Sequence, residues 1–107
     1  MQNFFINYKD SVDFHPEKFF KTTLVKSERL MLGLNCLEPG QVQKVHDHSD
    51  QDKFYFVLEG SGSFVVGDQE QIASAGMLVW APAGVAHGVS NQSSHRLVIL
   101  MGMAPAP

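Results

Sequence analysis

The sequence predicts an all-β domain, a sandwich or closed barrel. Two observations carry that expectation. From Thr22 onward the chain is a series of short runs rich in β-branched and aromatic residues, and each run is closed by glycine, proline or a polar cluster. Many short strands at this spacing are the mark of a sandwich or barrel. Residues 1–22 read as an N-terminal extension with one helical turn, for which Pro16 suits the first position and Glu17 the favourable first turn. The barrel is expected over 23–104, from runs at roughly 23–26, 29–37, 42–48, 53–58, 62–66, 70–73, 77–80, 86–90 and 96–103. The breaks include Glu38-Pro39-Gly40, Glu59-Gly60, Gly67-Asp68-Gln69, Ala75-Gly76 and Pro82-Ala83-Gly84. These are residues that turns require.

Size and composition narrow the function. A chain of 107 residues is one domain. It is 44% hydrophobic and 18% charged with a net charge of −3, a globular composition. The eight Lys and Arg are scattered, so no basic stripe is present to displace counterions from nucleic acid. No apolar run approaches the roughly 20 residues of a membrane span; Leu97 to Met103 is the strongest and far too short. The first ten residues have neither a cationic start nor a sustained apolar stretch, so no secretory leader is expected. Cys36 is the only cysteine, which suits a reducing cytoplasm and a small apolar strand residue.

Two runs lack alternation. Phe54-Tyr55-Phe56-Val57-Leu58 and Leu97-Val98-Ile99-Leu100-Met101 are apolar at every position, so both faces of these strands should be covered. A barrel interior covers one. A second copy of the chain is the preferred cover for the other, making a homodimer; the N-terminal segment folded over its own barrel is the competing one.

The histidines point to chemistry. His46 and His48 are two apart and so share a strand face, from which two imidazoles can reach one ion. His87 follows the tight corner Pro82-Ala83-Gly84, which can return a distant strand towards that pair. A lone His-x-His is more often a pair of solvated strand residues; a third histidine in a glycine and proline frame favours a metal. His15, before Pro16, and His95, in a Ser-Ser-His-Arg loop, suit exposed or locally packed roles.

These stretches resemble the two cupin motifs. Gly40, His46, His48 and Gly60 match the first: a glycine, five residues, His-x-His, a spacer, an acid, six residues and a glycine. Gly76, Pro82, Gly84, His87 and Asn91 match every named position of the second. Fifteen residues separate Gly60 from Gly76, and the motifs span about half the chain. The resemblance, to small stand-alone cupins, implies a double-stranded β-helix (jelly-roll) barrel holding one divalent transition metal, Fe, Mn, Ni, Cu or Zn, on His46, His48 and His87. It also implies turn roles for Gly40, Gly60 and Gly76, and a corner shaped by Pro82, Gly84 and Asn91.

The acidic position departs from the pattern. Counting back from Gly60 it holds Lys53, whereas a spacer one residue shorter puts Asp52 there. The alternatives turn opposite strand faces inward: Phe54, Phe56 and Leu58 with Asp52, or Tyr55 and Val57 with Lys53. An ammonium about 5 Å from a divalent ion costs roughly 6–7 kcal/mol at an effective dielectric of 20, so Asp52 is slightly preferred as fourth ligand, with Gln51 a weaker option. A substrate carboxylate between Lys53 and the metal would relieve that repulsion. The expected function is an enzyme acting on a small organic molecule at a mononuclear metal, of dioxygenase or isomerase type, with Lys53, Tyr55 and Glu59 as candidate acid–base groups. The alternatives are a non-catalytic small-molecule-binding module and a metal-free barrel whose histidines bind the ligand directly.

Overall fold

The computed structural model describes residues 3–47 and 50–107. Its strands are β1 (Phe20–Lys26), β2 (Met31–Leu37), β3 (Val42–His46), β4 (Asp52–Glu59), β5 (Ser61–Val66), β6 (Gln69–Ser74), β7 (Leu78–Ala81), β8 (His87–Ser90) and β9 (Leu97–Ala104). Each falls on one of the apolar runs, with ends shifted by a few residues. They form two antiparallel sheets, ordered β1-β2-β9-β4-β7 and β3-β8-β5-β6, packed face to face. β2 lies beside β9 and β3 beside β8, so strands far apart in sequence are neighbours, as in a jelly roll.

Among the described residues every positive-φ position is a glycine: Gly40, Gly60, Gly67, Gly76 and Gly84. Gly60 is the most constrained. At φ 82° it turns β4 into β5, and a Cβ there would collide with the Arg96 carbonyl. Asn91 ties the corner that follows β8. Its Nδ2 donates to the carbonyls of Leu37 (3.0 Å) and His95 (2.8 Å), while its Oδ1 accepts from Ser93. Gly40 N also donates to the Asn91 carbonyl at 2.7 Å. The side chain is buried, and these bonds satisfy it.

The inner faces build one core from Leu37, Val57, Phe64, Ala73, Val89, Leu97 and Ile99 with Tyr55, Met101 and Met103. The outer face of the larger sheet makes a second cluster, in which Leu34, Cys36 and Val98 lie under Tyr8, Val12 and Phe14. Tyr8 Oη donates to Glu59 at 2.8 Å, and the Arg96 guanidinium stacks 4.3 Å from the Phe14 ring. The N-terminal segment therefore covers the middle of its own sheet, the competing alternative to a second copy there. Burial pushes the Cys36 thiol above its ordinary pKa, in keeping with an inert packing residue.

The expected helical turn at Pro16 is absent. A 3-10 helix runs instead over Tyr8–Ser11, capped by Asn7, whose side chain accepts from Lys9 N. At Pro16 the His15 ring accepts from Glu17 N at 3.2 Å and closes a bend. Among the described residues no helix is long and apolar enough to cross a membrane.

Candidate metal centre

His46 is aimed by a bulge. Along β3 and β8, Gln43 pairs with Val89 and His46 with His87, so two residues of β3 face one of β8. That one is Gly88. A Cβ on it would lie 2.9 Å from the Gln43 carbonyl and 3.0 Å from the Val45 backbone, so glycine lets the bulged strand close in. The slip puts both Gln43 and His46 towards the barrel, three residues apart, and leaves Val42 and Val45 exposed.

The His46 and His87 rings meet edge to face with centroids 4.6 Å apart. Each Nδ1 sits against a carbonyl two residues earlier, Lys44 O at 2.7 Å and Val85 O at 3.0 Å. A carbonyl only accepts, so both Nδ1 atoms carry the proton and both Nε2 atoms carry the lone pair. This outer contact, the same on two strands, orients imidazoles for ligation through Nε2. His87 is 1% exposed. His48, the third expected ligand, lies outside the described residues. Among the described residues no three His, Cys, Asp or Glu side chains come together at a metal site. The pair that is described fits a divalent transition metal by donor type and by tautomer.

The preference for Asp52 is corrected. Its side chain is exposed at the start of β4, where Oδ1 accepts from Ala83 N at 3.0 Å. The inward residues of β4 are Lys53, Tyr55 and Val57, all buried, while Phe54, Phe56 and Leu58 face out. Charge alone favours Asp52. Pairing of Val57 with Ile99 and Tyr55 with Met101 fixes the other phase, because both partners belong to the inner core. Gln51 is half-buried just before the strand.

Lys53 is 3% exposed, and its Nζ lies 4.7 Å from the centre of the Tyr55 ring. Burial, and then the charge of Lys21, lower its pKa to about 8. Tyr55 Oη donates to Gln43 Oε1 at 2.6 Å, and burial pushes the phenol well above its ordinary range. Tyr55 is thereby held protonated in neutral solution as a weak acid, with its hydroxyl hydrogen committed to Gln43. Glu59 is removed from the site, being exposed on the outside against Tyr8. His15 and His95 are exposed, as expected.

Beside this group is a chamber of about 600 Å³, lined by Asn35, Gln43, His46, Lys53, Met31, Met101 and Met103, with Lys21, Thr22, Thr23 and Pro107 completing its wall. Asn35 and Gln43 were not anticipated. A single asparagine inside the apolar run Met31–Leu37 was a signal for the first. Gln43 depended on the bulge, which strand alternation hides.

The Cupin domain family model matches residues 33–103, about two thirds of the chain. The chain is a cupin. An uncharacterized protein of Streptomyces coelicolor is 30% identical over 81 residues, 76% of each chain. The crystal structure of TT1209 from Thermus thermophilus superposes on this cupin with a TM-score of 0.93 at 41% identity, covering 96% of this chain and 98% of that one. A predicted oxalate decarboxylase from Thermotoga maritima shares the fold, with a TM-score of 0.76 at 20% identity over 80% of this chain and 79% of that one.

Proposed function

We propose that this cupin is an enzyme that holds one divalent transition metal on His46, His48 and His87 and acts on a small organic molecule in the chamber beside it. The observation that carries this reading is the matched pair of histidines, each Nδ1–H fixed on a backbone carbonyl and each Nε2 presenting a lone pair. A metal there would supply Lewis acidity or a site for dioxygen, which suits isomerase- or dioxygenase-type chemistry. The chain's own residues would confine the substrate among methionines and present the Lys53 amine, while the Tyr55 hydroxyl holds Gln43 in place. The buried Lys53 at the acid's position favours one second reading, a metal-free barrel that binds its ligand through histidine and lysine.

Metal analysis of protein purified without a histidine tag separates the two. Close to one transition metal per chain is expected, with most of it lost in His87→Ala. Wild-type protein that stays empty after incubation with Fe, Mn, Ni, Cu and Zn would leave only the metal-free reading.

The cupin is further proposed to be a cytoplasmic homodimer. On the outer face of the larger sheet, Phe54 pairs with Trp80 and Phe56 with Leu78, beyond the cover of residues 8–14. Trp80 is 54% and Leu78 62% exposed, and Phe5 in the N-terminal arm is 86% exposed. A contiguous apolar surface of this kind is costly in water and suits a second copy. Light scattering should give about twice the 11.9 kDa chain mass; a monomer in which Trp80 fluorescence is fully quenchable by iodide would refute the dimer.

A further inference from the structure

We propose that the chamber binds a carboxylate: the Lys53 ammonium and the Asn35 side-chain amide hold the acid group of a small organic acid, whose apolar body lies along Met101 and Met103 and whose other end faces His46. The inference rests on the chamber being the substrate site proposed above, but not on a metal being present.

Two buried donor groups of the chamber, the Asn35 amide and the Lys53 ammonium, have no hydrogen-bonding or ion-pair partner among the described residues. Asn35 is 3% exposed, and its buried Nδ2 has no hydrogen-bond partner among the described residues. It lies on the inner face of β2, opposite Lys21 on β1, and lines the same chamber as Lys53. Lys53 brings three more N–H donors, and among the described residues no carboxylate lies within ion-pair distance of it. Gln43 Oε1, an acceptor on the same chamber, is already engaged by the Tyr55 hydroxyl. Lys21 at the rim adds positive potential to the opening.

Two bland accounts of Lys53 fail. A lysine that snorkels would lead its amine out to water, whereas this amine turns back over the Tyr55 ring. A lysine kept for fold stability would have a carboxylate partner, since an unpaired buried charge opposes folding. A carboxylate ligand supplies what both donors lack. It accepts from the ammonium and from the amide, and it places a negative charge between Lys53 and any cation held by the histidines. The methionines Met31, Met101 and Met103 are flexible and apolar, and so tolerate the carbon skeleton without contributing acceptors of any strength.

The test is calorimetric titration of the full chain at pH 7 with benzoate and butyrate, each beside its neutral amide, before and after chelation of metal. At least one acid should bind ten or more times tighter than its amide, in chelated protein as well. Lys53→Met should lower that affinity at least tenfold with metal content per chain unchanged. Asn35→Asp, which removes the amide donor and puts a carboxylate on the wall of the same chamber, should do the same, and it carries the test should Lys53→Met not fold. Wild-type protein that takes up none of the five metals and still prefers the acid supports this site while removing the metal reading. Equal binding of acid and amide, no binding of either acid, or wild-type affinity in folded Lys53→Met would overturn it. So would acid binding abolished by chelation, since the carboxylate would then sit on the metal.

Discussion

The barrel interior has two ends built from the same strands, and they differ in kind. At the closed end β2 contributes Leu37, β4 contributes Val57 and β8 contributes Val89; two residues along, the same strands contribute Asn35, Tyr55 and His87, and β4 goes on to Lys53. A step of two keeps a side chain on the same face of a strand, so the backbone is indifferent to which end a residue serves. Only side-chain identity changes, from close-packed apolar groups to buried donors around open space. The closed end supplies the stability. The open end gives some of it up, holding an ammonium and an amide without acceptors among the described residues where hydrocarbon would pack better.

The sharpest way to break this contrast is at the closed end. Phe64 is buried there, its ring 5.2 Å from that of Tyr55. Phe64→Ala should cost about 3–5 kcal/mol in urea unfolding, because β5, which carries it, is hydrogen-bonded to β6 on one side and β8 on the other and cannot move in to fill the cavity. A loss below about 1 kcal/mol, too small for a large-to-small change in a close-packed core, would mean that this end is not rigid.

The open end should respond in the opposite sense, with a pH signature. Lys53 titrates near 8 in the folded chain against an ordinary value of 10.5. Between those values the unfolded chain binds more protons, so the stability of the wild type rises with pH. Below about 8 the burial penalty is present in full; above about 10.5 the amine is neutral in both states and the penalty is gone. Lys53→Met in chelated protein should therefore be more stable than the wild type by about 3 kcal/mol at pH 7, a gap that closes between about pH 8 and 10.5. A constant gap, or a less stable variant, would show that Lys53 has a partner in solution.

Much of this contrast was legible in the sequence, and its failures have physical causes. Glycines at the turns and short β-branched runs marked out the strands, because each is a local constraint. A shared face for His46 and His48 is what alternation predicts, and His48 lies outside the described residues; the direction in which His46 points depended on the bulge opposite Gly88, a contact between distant strands. The choice between Asp52 and Lys53 failed for a related reason. Phe54 to Leu58 is apolar on both faces, because on the outer one Leu58 packs with Tyr8, Val12 and Phe14 while Phe54 and Phe56 stand beside Trp80 and Leu78, so the run carries no alternation from which to read a phase. Charge considered alone then favoured the wrong residue. Lys53 is inside in spite of its charge, which is the local conflict on which its proposed role rests.

Asn35 gives the smallest effect and the cleanest separation of the two costs at the open end. Its amide Nδ2 is buried without a partner among the described residues, so folding strips that donor of water and returns nothing. Leucine has nearly the same shape, and the side chain already stands among Met31, Met101 and Met103. Asn35→Leu should therefore stabilise the protein by about 1–2 kcal/mol. Because an amide does not titrate, the gain should be the same at pH 7 and pH 10, unlike that of Lys53→Met. It should also appear together with weaker carboxylate binding, since the group removed is the one proposed to donate. A destabilised Asn35→Leu at both pH values would mean that ordered water already satisfies the amide, and that the donor at this end of the barrel does not wait for a ligand.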